Sequence, residues 1–269
     1  MIKNHQPYRR AVQISVLLIL IGIPLLNLLT FDLVQGTLCS VGTKKVEVTC
    51  GLGALQSMLA NREVYIPLLL SSSFFLLLAL LFGRVFCSWV CPQHVASEIG
   101  DKGRRSILGK DVKGTPDSPG RYRKGRTVFL SILSLGLLAT FLTGTPVICY
   151  ICPIGIICRQ FIKGTFLYKI GGEAVIVGII VAADFAVARR GWCKYICPLG
   201  AFYSLFSNRF SLKVKRDFGK CVQCGLCQES CPMGDSPMQG RIGKTCTNCA
   251  ICIDNCPERA LRFQRNLKA

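Results

Sequence analysis

CVQCGLCQESCP at 221–232 and CTNCAICIDNCP at 246–257 are the stretches best placed to do chemistry. Each reads C-x2-C-x2-C-x3-C-P. A cubane [4Fe–4S] cluster needs four thiolates; three come from one tight loop, and the fourth of each motif reaches across to the other cluster. The spacing therefore assigns one cluster to Cys221, Cys224, Cys227 and Cys256, and a second to Cys246, Cys249, Cys252 and Cys231. Zinc more often takes paired ligands from two knuckles, and disulfides belong to oxidising compartments. Gly225 and Ala250 are small enough to let a cube approach the backbone. Two clusters held this way lie close enough to exchange electrons, so the tail reads as an electron relay, with nearby Lys and Arg holding the anionic clusters and raising their potentials.

Two further sulfur pairs occur upstream. GRVFCSWVCPQH at 83–94 and RRGWCKYICPLG at 189–200 share a basic residue, an aromatic residue and C-x3-C-P. On a helix, positions i and i+4 share a side, so Cys87 with Cys91, and Cys193 with Cys197, each aim two sulfurs one way. Pro92 and Pro198 then end that helix or start the next one, whose first N–H groups favour an anion. These four thiols are candidates for a third metal centre, for a redox-active dithiol or for plain packing; spacing alone does not choose among them.

The elements that must position these sulfurs are apolar. Hydrophobic residues make up 51% of the 269, and charged residues 17%. Four apolar runs, 11–30, 66–83, 127–145 and 173–188, approach the ~20 residues that a helix needs to cross a bilayer. The expected fold is a membrane α-helical bundle of four transmembrane helices (1–211) followed by a small α+β ferredoxin-like 2[4Fe–4S] domain (212–269). The first run is long, contains Pro24 and lacks a small-residue cleavage site after it, so it reads as a retained helix and not a signal peptide. The stretch 101–126, rich in Gly, Pro and charge, reads as a linker.

Lys and Arg orient the bundle. Residues 1–10, 84–126 and 189–269 hold 27 of them, whereas 31–65 and 146–172 hold 6. The positive-inside rule then places both termini and the 84–126 loop of a multi-pass membrane protein on the cytoplasmic side. The formal net charge of +19 is a topology and lipid-surface signal; nucleic acid is not an expected partner.

On that topology five cysteines fall on the outer side: Cys39 and Cys50 in one loop, and Cys149, Cys152 and Cys158 in TPVICYICPIGIICR. They are candidates for disulfides, a metal site or free thiols. CYICPIGII also echoes CKYICPLGAF, which hints at an internal repeat of a helix followed by a Cys-Pro turn. Asp184 lies inside the fourth run, where a carboxylate is costly and often functional; it is a candidate proton acceptor at a quinone site, or a plain partner of Arg189 or Arg190. His94 follows Cys91-Pro92 and could hydrogen-bond a metal centre or a quinone oxygen. With only His5 and His94 present, a bis-histidine haem is excluded. No P-loop, GxGxxG or nucleophile triad appears.

FCSWVCP, GWCKYICPLGA, the tandem tail motifs and RRAVQ at 9–13 resemble the NapH/MauN family of ferredoxin-type membrane proteins. The resemblance covers nearly the whole chain and implies a multi-pass quinol dehydrogenase component of the prokaryotic cytoplasmic (inner) membrane. Such a protein exchanges electrons with the quinone pool and with a periplasmic or membrane-associated iron–sulfur or cytochrome partner. The outer cysteines depart from the family pattern. An alternative of another class is a redox-sensing or maturation factor for a metalloenzyme; a third is a membrane anchor for a separate oxidoreductase.

Overall fold

The computed structural model describes residues 4–28, 35–37, 40–43, 46–108, 119–156, 172–186, 190–207, 211–240 and 242–265. Four apolar runs become helices: α1 (Gln6–Leu28), α3 (Ile66–Phe82), α6 (Pro119–Thr143) and α8 (Gly172–Ala186). Among the described residues, no helix is long and apolar enough to cross a membrane. Helix α3 is wholly apolar or hydroxylated, but its 17 residues span only about 25 Å. It begins with Pro67 in its first turn and stops at Gly83, whose φ of 66° lies in the left-handed region that glycine enters at little cost.

The segment 31–65, read as a loop, contains structure that alternation did not reveal. Strands β1 (Gln35–Thr37), β2 (Ser40–Thr43) and β3 (Val46–Thr49) form an antiparallel meander, with Thr37 paired to Ser40 and Thr43 to Val46. Helix α2 (Gly51–Asn61) follows, capped by Cys50, whose sulfur accepts the Gly53 N–H at 3.3 Å. The linker expected over 101–126 is also shorter than composition implied. Helix α5 (Pro92–Leu108) continues through Arg104 and Arg105, because no proline interrupts it after its first residue. It packs along α8, and Ser97 donates to Asp184 at 3.2 Å.

Both C-x3-C-P motifs fold alike, though not as plain α-helix. In α4 (Val85–Trp89) the Cys91 N–H bonds the Phe86 carbonyl, and in the π-helical turn Trp192–Ile196 the Cys197 N–H bonds the Trp192 carbonyl. These are i→i−5 bonds, the widened turn that recurs at functional sites. Pro92 and Pro198 each open the next helix, α5 and α9 (Pro198–Phe206), where the missing proline N–H costs nothing.

The second Cys-Pro turn does not stay at the far end of the bundle. After α6, Gly144 turns the chain at φ 65° and α7 (Val147–Ile151) runs back along α6. A Cβ on Gly136 would lie 2.7 Å from Ile148 Cγ1, so the absent side chain is what lets the returning segment pack. Cys152 thereby joins the buried core formed by Cys91, Phe129, Leu199 and Tyr203. Cys152, grouped from its sequence position with Cys39, Cys50, Cys149 and Cys158, thus lies beside Cys91 and Cys197.

The tail pairs β4 (Lys213–Arg216) with β5 (Leu261–Gln264), antiparallel, and carries two one-turn helices, α10 (Leu226–Glu229) and α11 (Ile251–Asp254). It is stapled to the rest. Asn248 donates to the Phe82 and Leu212 carbonyls at 2.8 and 2.7 Å. Ser88 donates to the Thr247 carbonyl at 2.6 Å, and Trp89 to that of Asn248 at 3.3 Å. From the other end of the chain, His5 pairs with Asp254 at 2.8 Å and Gln6 donates to the Cys249 carbonyl at 3.1 Å. Arg84 is sealed from solvent; its guanidinium donates to the Thr245 and Cys193 carbonyls at 3.2 and 3.1 Å and lies 5.5 Å from the Phe129 ring centre.

Asn248→Ala removes the donor to two part-buried carbonyls and is expected to cost about 1–3 kcal/mol, read as a lowered melting temperature of the purified protein and faster proteolysis of the tail. A Cβ on Gly200 would sit 2.5 Å from Arg84 Nη2. Gly200→Ala is therefore expected to displace the guanidinium and lower stability by about 1–3 kcal/mol. Gly219→Ala, whose Cβ would meet only Asp217 Oδ1 at 3.6 Å, should leave the melting temperature near that of the parent.

Candidate iron–sulfur centres

Three cavities are ringed by thiols. The first, about 350 Å³ including its open mouth, is lined by Cys221, Cys224, Cys227 and Cys256. The second, about 360 Å³, is lined by Cys231, Cys246, Cys249 and Cys252. These are the two sets that the motif spacing grouped. Among the described residues, no three His, Cys, Asp or Glu side chains close on one point as the ligands of a single ion would. Each set of four sulfurs lines one cavity, and a four-iron cube takes four thiolates, one at each iron.

Backbone conformation prepares both tail loops in the same way. Gln223 and Gly225 have φ of 56° and 81°; Asn248 and Ala250, at the matching positions of the second motif, have 52° and 62°. Left-handed residues in such a turn aim successive N–H groups into a concavity that favours an anion. Ala250 accepts a conformation costing roughly 1–2 kcal/mol for an L-residue, and room for its Cβ is small, with the residue 1% exposed. Around the first cavity, the Ala260 N–H reaches Cys256 Sγ at 3.3 Å, Arg216 stands 3.9 Å from Cys221 Sγ, and the Arg216 Nε has no partner. Beside the second, Asp235 is buried and accepts the Gly243 N–H at 3.0 Å. Burial, then the Asp235 carboxylate, pushes the Cys231 thiol up to about 12. A metal bound there displaces that proton, so occupancy strengthens as pH rises.

The third cavity, about 460 Å³, lies between the C-x3-C-P motifs. Cys87, Cys91, Cys193 and Cys197 line it, and so does Cys152. The neighbouring Cys152 thiol, and then the Arg84 charge, draw the Cys197 thiol down against the upward push of burial. Polar atoms aimed at this cavity go unmet: both side-chain polar atoms of Gln93, the Trp192 Nε1 and the Thr247 Oγ1 have no partner, although Gln93 and Thr247 are each only 2% exposed. Such atoms cost about 1–3 kcal/mol each when left unpaired. A sulfide- and thiolate-rich anion would accept from the donors among them, Gln93 Nε2, Trp192 Nε1 and Thr247 Oγ1.

Buried cations surround the same place. Arg9, Arg84 and Arg190 are all at most 1% exposed, and Lys194 is 8% exposed. Arg9 bonds Glu98 at 2.7 Å and His94 Nε2 at 3.3 Å. His94 lines the cavity; burial, and then Arg190, Arg9 and Arg84, hold its imidazole neutral. Asp184 is not a lining residue. Its oxygens accept the Trp192 N–H at 2.9 Å and the Ser97 hydroxyl at 3.2 Å, so it fastens the π-helical turn that presents Cys193. Reading the sequence missed Arg9, Gln93 and Thr247 as parts of this site. Arg84 and Arg190 were visible as the basic residue that precedes each C-x3-C-P motif, and Cys152 was visible as the CYICP echo. Cys50 caps α2, Cys149 lies against Gly155 with its backbone carbonyl, and Cys39 and Cys158 fall outside the described residues.

A 4Fe-4S binding domain family matches residues 65–110, 126–169 and 170–220, more than half of the chain, and each match contains one Cys-Pro turn. A second 4Fe-4S binding domain matches 214–234, over the first tail motif. The methylamine utilization ferredoxin-type protein MauN of Paracoccus denitrificans is 35% identical over 182 residues, 66% of this chain and 59% of the relative. The ferredoxin-type protein NapH of Escherichia coli is 31% identical over 157 residues, 58% of this chain and 50% of the relative. MauN of Methylobacillus flagellatus is 29% identical over 151 residues, 56% of this chain and 48% of the relative. The chain thus spans about half to three fifths of the length of these curated relatives. No solved structure matches. With a 4Fe-4S binding domain matched three times over more than half of its length and relatives of this kind at 29–35% identity, the chain belongs to the NapH/MauN family of ferredoxin-type 4Fe-4S proteins.

Proposed function

We propose that the protein is a membrane-embedded electron relay between the quinone pool and a redox partner, with two [4Fe–4S] clusters in the tail and a third at the C-x3-C-P cavity. The observation that carries this reading is the shared wall between cavities. Thr247 lines both the C-x3-C-P cavity and the one ringed by Cys231, Cys246, Cys249 and Cys252. Cys252 of that second cavity packs with Cys227 of the first in one buried cluster of the tail. Three sulfur-lined volumes follow one another with a residue or two between neighbours. A bound [4Fe–4S] cluster supplies a one-electron carrier whose potential follows the charge, N–H···S bonds and exposure around it.

The chain's own residues set those conditions. Arg84, Arg190 and Lys194 compensate negative charge at the first station, and the left-handed loops aim N–H groups at the other two. His94, neutral at the cavity wall, is suited to hydrogen-bond a quinone oxygen, and Asp184 holds the Trp192 turn in place.

Bilayer placement is supported by surface character. Ile14, Leu18 and Ile21 on α1, Leu70, Phe74 and Leu77 on α3, Leu135, Leu138 and Leu142 on α6, and Ile176 and Ile179 on α8 form exposed apolar stripes at helical spacing, while Arg9, Gln13, Ser72 and Thr140 are buried. Leaving eleven such side chains in water forgoes about 1.5–3 kcal/mol each, which exceeds the net stability of an ordinary domain. The 27-to-6 distribution of Lys and Arg supports both termini lying in the cytoplasm.

Iron and acid-labile sulfide per chain, counted on anaerobically purified protein in lipid nanodiscs, test the reading together with EPR after addition of a reduced quinol analogue. The expected count is about twelve irons, three cubanes' worth, with quinol reducing the clusters. About eight irons would remove the third centre. Clusters that dithionite reduces and quinol does not would overturn the quinone link.

A further inference from the structure

The five thiols at the C-x3-C-P cavity are not equivalent. Cys91, Cys152 and Cys197 each immediately precede a proline that opens a helix, and all three lie in or against one buried cluster. One comes from each of the three matches to the 4Fe-4S binding domain family. The chain therefore delivers three Cys-Pro sulfurs, one per repeat, to a single buried volume.

The second repeat reaches it by re-entry. Gly144 reverses the chain, Gly136 admits Ile148, and Gly155 lets the turn close, since a Cβ there would lie 2.4 Å from the Cys149 carbonyl oxygen. A thiol required only for packing would need none of this; an alanine or valine at the end of α7 would fill the space. The cavity's unmet polar atoms, Gln93 and Thr247, point to an occupant and not to a dry core.

The two remaining thiols differ in their packing. Cys87, like Cys197, packs against the buried cluster that contains Cys91 and Cys152, whereas Cys193 lines the cavity without joining that cluster.

We propose that Cys152 is a ligand of the iron–sulfur centre in this cavity, together with Cys91, Cys197 and Cys87, and that Cys193 is the sulfur left over. This rests on the third centre proposed above. The ligand set then draws on all three repeats, and the sulfur that the motif spacing assigned to Cys193 comes from the re-entrant turn.

The test compares Cys152→Ala and Cys193→Ala with the parent protein, full length and anaerobically purified, by iron content and by EPR of the reduced state. Cys152→Ala is expected to fall from about twelve irons to about eight and to lose one EPR signal while both tail signals persist. Cys193→Ala is expected to keep about twelve. Loss of the centre in Cys193→Ala with retention in Cys152→Ala overturns the assignment, and so does an unchanged iron count and spectrum in Cys152→Ala. A parent protein with only about eight irons overturns the third centre itself, a separate outcome visible before any variant is made. Should Cys152→Ala not accumulate, Cys152→Ser decides. The serine keeps the size of the side chain, and altered g-values with a shifted midpoint potential support ligation, whereas a spectrum identical to the parent's overturns it.

Discussion

A guanidinium sealed away from water is the constraint on which the site depends. Arg84 donates to carbonyls of Thr245 and Cys193 and contacts Cys87. Arg9, by contrast, meets the carboxylate of Glu98, and Arg190 lies near Asp184. Carbonyl dipoles alone leave much of a buried cation's desolvation cost unrecovered, and that cost is several kcal/mol. An anionic centre of the kind proposed for the sulfur cavity beside Arg84 would supply the missing negative charge. Because the acceptors of Arg84 come from the tail and from the last C-x3-C-P motif, the same side chain fixes how three parts of the chain meet.

That meeting point determines what the protein can do. The loop 245–249 is pinned by Arg84, Ser88, Trp89 and Gln6, so the tail's second cavity is held against the helical part by backbone carbonyls and not by a mobile hinge. A carbonyl staple is insensitive to surface charge and salt, unlike an exposed ion pair. The spacing between sulfur-lined volumes is set by the chain itself.

The tail was legible from its cysteines because C-x2-C-x2-C-x3-C-P constrains both spacing and direction, and the cavities group the same eight residues that spacing grouped. The helices were legible from apolar runs. The destination of Cys152 was not. Charge counting places a segment on one side of a bilayer by its flanks, and 146–172 has few Lys or Arg, so it reads as outer; nothing in that count registers a chain that turns at Gly144 and runs back inward. The permissive residues Gly136 and Gly155 were signals only in retrospect, since their meaning lies in Ile148 and the Cys149 carbonyl. The β1–β3 meander escaped for a related reason: Gly36, Gly42, Lys44 and Lys45 dilute the alternation that marks a strand. The i→i−5 turns at Cys91 and Cys197 follow no composition rule.

Sequence distance between partners has a bearing on biogenesis. The sulfurs around the C-x3-C-P cavity run from Cys87 to Cys197, and each tail cavity borrows one thiol from the other motif, Cys256 for the first and Cys231 for the second. None of the three volumes is enclosed until distant segments have been synthesised and folded together. A ribosome-bound chain thus exposes these thiols before it can shelter them. Those that line a shared volume must stay reduced and metal-free until their partners have been synthesised.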